Sequence, residues 1–317
     1  MDVVTLGESM VLFTPETTGY MRHADKYSSS IAGAESNLAI GLSRLGYNVS
    51  WISRLGDDEF GRKVISLIRG EGVETSQVQY DSTSPTGLYF KEILTDEETQ
   101  VYYYRQNSAA SNMIPADLNE EHISKAKFLY LTGITPALSE TCYQTVKQAI
   151  KIARKHSLTI IFDPNLRRKL WTEERARKVL LELISMVDIV LPGIEEGKFL
   201  FGEEVPEKIA KCFYEQGAKL SVLKLGPEGA YYYSKKEDGY VLGPKVDNVV
   251  DPVGAGDGFA AGLVSGLLEN LPIKEAVKKG TFTGALVIKV KGDIEGLPEK
   301  KRLESFMNEA NKDDVYR

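Results

Sequence analysis

The sequence predicts an α/β protein: a doubly wound, mostly parallel sheet flanked by helices, with a small β-sheet lid inserted in it. Three observations predict this. Short apolar runs alternate with amphipathic helical stretches along most of the 317 residues, the pattern of right-handed crossovers between parallel strands. The alternation breaks once, near residue 86, where two strand-like runs follow each other with only a turn between them. And 42% hydrophobic with 26% charged residues is the composition of an ordinary globular chain.

The elements read in order as follows. "DVVTLG" (Asp2 to Gly7) is a buried strand ending in glycine, followed without a helix by "ESMVLFTPE". "ESNLAIGLSRLG" is a helix with Leu38, Leu42 and Leu45 at helical spacing and Gly46 as its stop. "NVSWISRLG" is the next strand and "DEFGRKVISLIRGEG" the next helix. "TGLYFKEIL" and "TQVYYYR" then form a hairpin through the acidic turn "TDEE", which the early strand "ESMVLFTPE" can join. Alternation resumes with "KFLYLTG", a helix around Tyr143 to His156, "LTIIFDPN", a helix around Glu174 to Met186, and "VDIVLPG". Helices over Glu195 to Gly202 and Pro206 to Gln216 precede "KLSVLKLG". "AYYYS" and "YVLG" read as edge or antiparallel strands, and two helices, Asp257 to Glu269 and Ile273 to Lys289, follow. The polar stretch "NEANKDDVYR" at the C-terminal end is expected to be loosely held.

Charge and composition exclude several classes. A net charge of −6 leaves no basic excess for a general nucleic-acid or anionic-membrane binder. No apolar run reaches the roughly 20 residues that span a bilayer, and "MDVVTLGESM" has no basic leader, so a cytoplasmic protein is expected. Cys142 and Cys212 read as reduced packing thiols. The three histidines are too scattered for a metal site or triad.

In a doubly wound sheet ligands gather at the carboxyl ends of the strands. This rule picks out the loops at Gly7, Thr132, Asp163, Pro192 and Lys224. The glycine-rich "DPVGAGDGFAAGL" (Asp251 to Leu263) is the other candidate. It fails as a dinucleotide fingerprint, because Phe259 stands where the third glycine belongs, and as a P-loop, because no Gly-Lys-Ser/Thr follows. A structural helix cap and an anion hole both remain open. In the second reading a helix starts near Asp257, and the amides of Ala255, Gly256 and Asp257 face an incoming phosphate. Asp257 then meets a substrate hydroxyl as a weak base, since a helix N-terminus favours the ionised carboxylate.

On the hairpin, Tyr103 and Arg105 share one strand face and Tyr102 and Tyr104 the other. A solvated arginine and an arginine forked onto a ligand carboxylate are equal readings of Arg105. Of the adjacent Arg167 and Arg168, at most one is expected to turn inward. Asp163 and Asn165 either cap their loop or touch a ligand.

With those residues in hand, the chain resembles the ribokinase-like (PfkB) family of carbohydrate kinases over essentially its whole length. "AGAESNLAIGLSRLG", with Gly33, Ala34, Asn37, Leu45 and Gly46, resembles one family signature, and "DPVGAGDGFAAGL" the other. "GESM", "PTGLYF", "YYYRQNSAAS", "FDPNLR" and "LPGIEEG" resemble the members acting on 2-keto-3-deoxygluconate. The resemblance implies ATP-dependent phosphorylation of that sugar acid at O6, with a fructokinase or other neutral-sugar kinase as the alternative. It implies that Asp257 is the base and that Gly254, Ala255 and Gly256 form the anion hole. It places Asn165, Lys224, Gly226 and Gly229 with those three on the nucleotide side. It places Gly33, Ala34, Asn37, Tyr89, Tyr103, Arg105, Arg167, Asp257 and Asp293 on the sugar acid. Asp251 is implied beside a monovalent cation such as K+. Glu196 is implied to reach Mg2+ through water, although Gly193 stands where the family's motif has asparagine. A lid built from roughly residues 10–32 and 85–105, inserted in one kinase domain, is expected to exclude water and to pair two subunits as a homodimer.

Overall fold

The apolar runs form the centre of a twisted sheet in a computed structural model of the protein, which describes residues 1–95 and 98–315. The strands in chain order are β1 (Val3–Leu6), β2 (Met10–Pro15), β3 (Tyr27–Ala32), β4 (Val49–Gly56), β5 (Val78–Asp81), β6 (Leu88–Ile93) and β7 (Thr99–Tyr104). They continue with β8 (Phe128–Thr132), β9 (Thr159–Asp163), β10 (Ile189–Val190), β11 (Leu220–Lys224), β12 (Ala230–Ser234) and β13 (Asp238–Val241). Among the described residues the large sheet has the order β13-β12-β11-β10-β9-β8-β1-β4-β5. It is parallel from β11 to β5, and β12 and β13 add an antiparallel edge. The predicted "AYYYS" and "YVLG" strands are that edge.

Strands buried on both faces read as continuous apolar runs, and side-chain alternation divides them between two cores. Val3, Tyr130, Ile161 and Val222 pack under the helices Ala34–Arg44, Glu59–Gly70, Ala255–Leu268 and Ile273–Val287. Val4, Leu129, Ile160, Phe162 and Leu223 pack under Glu140–Lys155, Glu173–Ile184, Ile194–Phe201 and Pro206–Glu215. Helices therefore cover both faces. The chain leaves β1 toward β4 on one side and later returns to β8 on the other, so the order reverses between β1 and β8, where such sheets open a crevice.

A second sheet of order β3-β2-β6-β7 stands over that crevice. The predicted hairpin is β6 and β7, antiparallel from Leu88↔Tyr104 to Ile93↔Thr99, and β2 joins it as expected, parallel to β6. Asp96 and Glu97, the centre of the predicted turn, lie outside the described residues. One face of this sheet packs Met10, Leu12, Ala32 and Tyr89 together. The other stacks Phe13 on Phe90 at 5.2 Å, with Tyr104 edge-on to Phe90 at 5.6 Å. A helix over Lys300–Val315 runs through most of the C-terminal stretch expected to be loose. No helix among the described residues is long and apolar enough to cross a membrane.

Candidate active site

The site is set by how one helix starts. Gly254 adopts φ +78°, and a Cβ there would stand 2.4 Å from the Asp293 carbonyl oxygen, so the turn requires glycine twice over. Helix Ala255–Leu268 begins directly after it, two residues earlier than the sequence predicts. That moves the anion hole. The Ala255 amide points 3.4 Å from the Pro252 carbonyl, and the first-turn amides without an acceptor among the described residues are those of Gly256 and Asp257. The Lys224 ammonium lies 3.8 Å from the place a Cβ on Gly256 would occupy. Gly258, by contrast, serves packing: a Cβ there would meet Val287 at 2.6 Å.

Asp257 projects from the first turn of this helix, and its Oδ2 accepts a hydrogen bond from Asn37 Nδ2 at 2.8 Å. Asn37, expected on the sugar acid, thus also orients the carboxylate. Burial pushes the Asp257 carboxyl up to about 6, against the Asn37 hydrogen bond and the charges of Arg167 and Lys224, with Asp163 adding to the rise. The expectation of a lowered pKa is corrected here. The helix terminus favours the anion, but loss of water at the cavity floor outweighs it, and the result is a better base near neutral pH.

A cavity of about 510 Å³ opens above Asp257. Gly33, Ala34, Asn37, Tyr89, Tyr103, Arg105, Arg167, Asp251, Gly254, Asp257 and Asp293 line it, so the structure gathers every residue expected on the sugar side. Tyr89 and Tyr103 stand side by side, ring centres 5.6 Å apart. Asp293 is pushed up to about 7 by burial and by the neighbouring Asp257, with Lys91 opposing. A larger cleft of about 750 Å³ lies beside β7 with no acid in its lining, whereas five carboxylates, Glu8, Glu35, Asp251, Asp257 and Asp293, line the smaller cavity.

The two arginines differ. Arg105 is buried, and its Nε donates to Glu8 Oε2 at 2.7 Å, with a second ion-pair contact from its terminal nitrogen. It lines the cavity, but it already holds a carboxylate of the protein. Arg167 is exposed at the cavity wall and has no ion-pair partner among the described residues. Arg168 turns away to Glu173 at 3.3 Å, so one of the adjacent pair faces inward, as predicted.

On the far side of Asp257 the strand-end loops converge. Lys224 at the end of β11 donates to Asp163 Oδ2 at 2.6 Å, and Asp163, at the end of β9, is buried. Asp163 Oδ1 accepts the Asn165 amide at 3.1 Å, which caps the loop in a left-handed turn (Asn165 φ +36°). Gly226 and Gly229 both take positive φ in the turn after Lys224, and Gly229 is pressed against the Val241 carbonyl. Glu196 accepts the Gly193 amide at 2.9 Å and the Leu166 amide at 3.2 Å, so it caps its own helix. Asp251 is engaged as well: Lys91 Nζ reaches its Oδ2 at 2.8 Å and the Val253 amide its Oδ1 at 3.2 Å. The monovalent cation expected beside Asp251 meets a protein ammonium already there. Among the described residues no cluster of three or more His, Cys, Asp or Glu is arranged to hold a metal.

Several residues of the site carry no role in the sequence reading. Glu8 lies in the flagged loop after Gly7, yet nothing local announces its pairing with Arg105 97 residues away. Glu35 is fully buried, accepts hydrogen bonds from Thr132 and Thr135 at 2.7 and 2.8 Å, and is pushed up to about 7 by burial. Lys91 had a readable signal: it sits two residues after Tyr89 on one strand, hence on the same face.

Known proteins supply the wider context. The model for the pfkB family of carbohydrate kinases matches residues 1–300. The 2-dehydro-3-deoxygluconokinase of Bacillus subtilis (strain 168) is 40% identical over 310 residues, 97% of this chain and 96% of that one. Fructokinase-1 of Zea mays is 32% identical over 318 residues, 97% and 98% of the two chains. Among solved structures, the 2-dehydro-3-deoxygluconokinase of Thermotoga maritima superimposes with a TM-score of 0.89 at 25% identity, covering 98% of this chain and 99% of the other. The family match spans most of the chain and both relatives span nearly all of it, and the cavity gathers the residues of the two signatures, so the chain belongs to the pfkB family of carbohydrate kinases.

Proposed function

We propose that the protein phosphorylates 2-keto-3-deoxy-D-gluconate to 2-keto-3-deoxy-6-phosphogluconate, with ATP as donor. The observation that carries this reading is the placement of Arg167 in the same cavity as Asp257, near enough to feel its charge but with no ion-pair partner among the described residues. A sugar acid brings the missing carboxylate, and a neutral sugar does not. The 40% identity to a 2-dehydro-3-deoxygluconokinase supports the same substrate. The 32% identity to a fructokinase keeps a neutral hexose as the second reading.

Asp257, kept in orientation by Asn37, accepts the proton of the attacking hydroxyl. Negative charge on the transferring phosphoryl group is met by the amides of Gly256 and Asp257 and by Lys224, the two kinds of group this reaction needs. Lys224, Gly226, Gly229 and Asn165 border the nucleotide side. Glu196, near the buried Asp163, fits Mg2+ carried on the phosphates and reached through water. When bound, Mg2+ neutralises phosphate charge. The Lys91 ammonium already occupies Asp251 Oδ2, so no K+ is placed on that side chain.

The small sheet acts as a lid of the kinase domain, and Tyr102 and Tyr104, 40% and 63% exposed on it, form with Phe13 and Phe90 the face through which two copies pair. Light scattering should return the mass of a dimer; a monomer at working concentration contradicts the pairing.

Arg167→Ala tests the substrate reading. It should lower kcat/KM for 2-keto-3-deoxygluconate by roughly 10- to 100-fold, the effect of losing a charged hydrogen bond, and leave the value for fructose nearly unchanged. An unaltered ratio removes Arg167 as the carboxylate's partner.

A further inference from the structure

One ion pair joins the small sheet to the phosphate end of the site. Lys91 stands on β6 and lines the cavity. Its ammonium donates to Asp251 Oδ2 at 2.8 Å across 160 residues of sequence. The two side chains are 16% and 7% exposed, so salt screens the contact weakly. The other oxygen of the same carboxylate, Oδ1, accepts the Val253 amide at 3.2 Å. Val253 immediately precedes Gly254, whose left-handed turn opens helix Ala255–Leu268 and aims the amides of Gly256 and Asp257, which have no acceptor among the described residues. One carboxylate thus holds the small sheet by one oxygen and the turn before the anion hole by the other.

When β6 lies against the core, Lys91 fixes Asp251, and Asp251 fixes the turn. Without that contact the carboxylate would lose the partner that orients it, and the Val253 amide a fixed acceptor. Anion holes work through donors held in place before charge develops, so a turn free to shift costs turnover more than ground-state binding. We propose that Lys91 is a positioning residue of phosphoryl transfer, coupling closure of the small sheet to the geometry of the anion hole through Asp251. The inference rests on the kinase reading given above for its activity readout, but not for its structural one.

The test compares the wild type with Lys91→Met, Lys91→Arg, Asp251→Asn and the Lys91→Met/Asp251→Asn double variant. Turnover is followed with 2-keto-3-deoxygluconate and ATP, and amide hydrogen exchange over residues 252–258 is followed with no substrate present. Lys91→Met and Asp251→Asn should each lower kcat about tenfold, with KM for the sugar acid changed less than about threefold, as expected of misplaced rather than missing contacts. The double variant should be no slower than the slower single one, since both changes break one coupling. Lys91→Arg should recover most of kcat, and the amides of 253–257 should exchange faster in Lys91→Met. Additive losses overturn the proposal, as do unchanged exchange or a loss confined to KM for the sugar acid, which would make Lys91 a substrate ligand. A wild type inactive on the sugar acid counts against the substrate reading alone; the exchange comparison then decides the coupling by itself.

Discussion

Asp257→Asn is expected to lower kcat by about 10²–10⁴-fold, the usual contribution of a positioned general base, while leaving the fold intact. Asparagine fits the same space and can still accept from Asn37 Nδ2. The change also removes a charge that the site resists. Burial raises the folded carboxyl from 3.8 to about 6, so between those values the folded state holds a proton that the unfolded chain has lost. That contribution to stability is present below pH 3.8 and is lost as pH rises through about 6. The asparagine variant should therefore melt no lower than the wild type at pH 8, despite its lost activity. In the wild type, kcat/KM should fall on the acid side with a limb near pH 6, and residual turnover of the variant should lack that limb. Full turnover in Asp257→Asn, or a wild-type profile flat from pH 5 to 8, contradicts the assignment of the base.

Arg105→Ala should act first on stability. Arg105 and Glu8 form a buried ion pair, and Ser108 also donates to Glu8. Removing the cation leaves Glu8 buried with its charge uncompensated, a loss that costs about 3–5 kcal/mol for pairs of this kind. The variant should show a clearly lowered Tm, and the Glu8→Gln/Arg105→Met double variant should recover part of it. A Tm unchanged in Arg105→Ala means that the pair contributes little. This is why Arg167, exposed and without an ion-pair partner among the described residues, is the cleaner probe of substrate recognition, even though the sequence presents the two arginines as equals.

The fold was largely legible because strands covered on both faces leave continuous apolar runs and the helices between them repeat at 3.6 residues. β3 escaped because "YSSSIA" has polar, exposed residues at its outer end and no alternation to read. The helix Lys300–Val315 escaped because it is polar along most of its length, packing through Leu303 and Phe306. The site was legible at the level of loops: strand ends and two motifs bring together the residues that line the cavity. What was not legible is energetic and pairwise. A helix N-terminus argues for an acidic Asp257, and only the packing around it shows that burial prevails. Glu8 with Arg105, Asp163 with Lys224 and Lys91 with Asp251 are separated by 97, 61 and 160 positions, and no local pattern marks such pairs.

Competition between the two candidate sugars reads the substrate class of the kinase directly. The wild-type protein is given 2-keto-3-deoxygluconate and fructose together with limiting ATP and Mg2+, and the phosphorylated products are separated and counted. The 6-phosphate of the sugar acid should dominate by at least about 100-fold, the discrimination available to a site whose charged group is otherwise left unpaired. Fructose phosphate in equal or greater amount would contradict it.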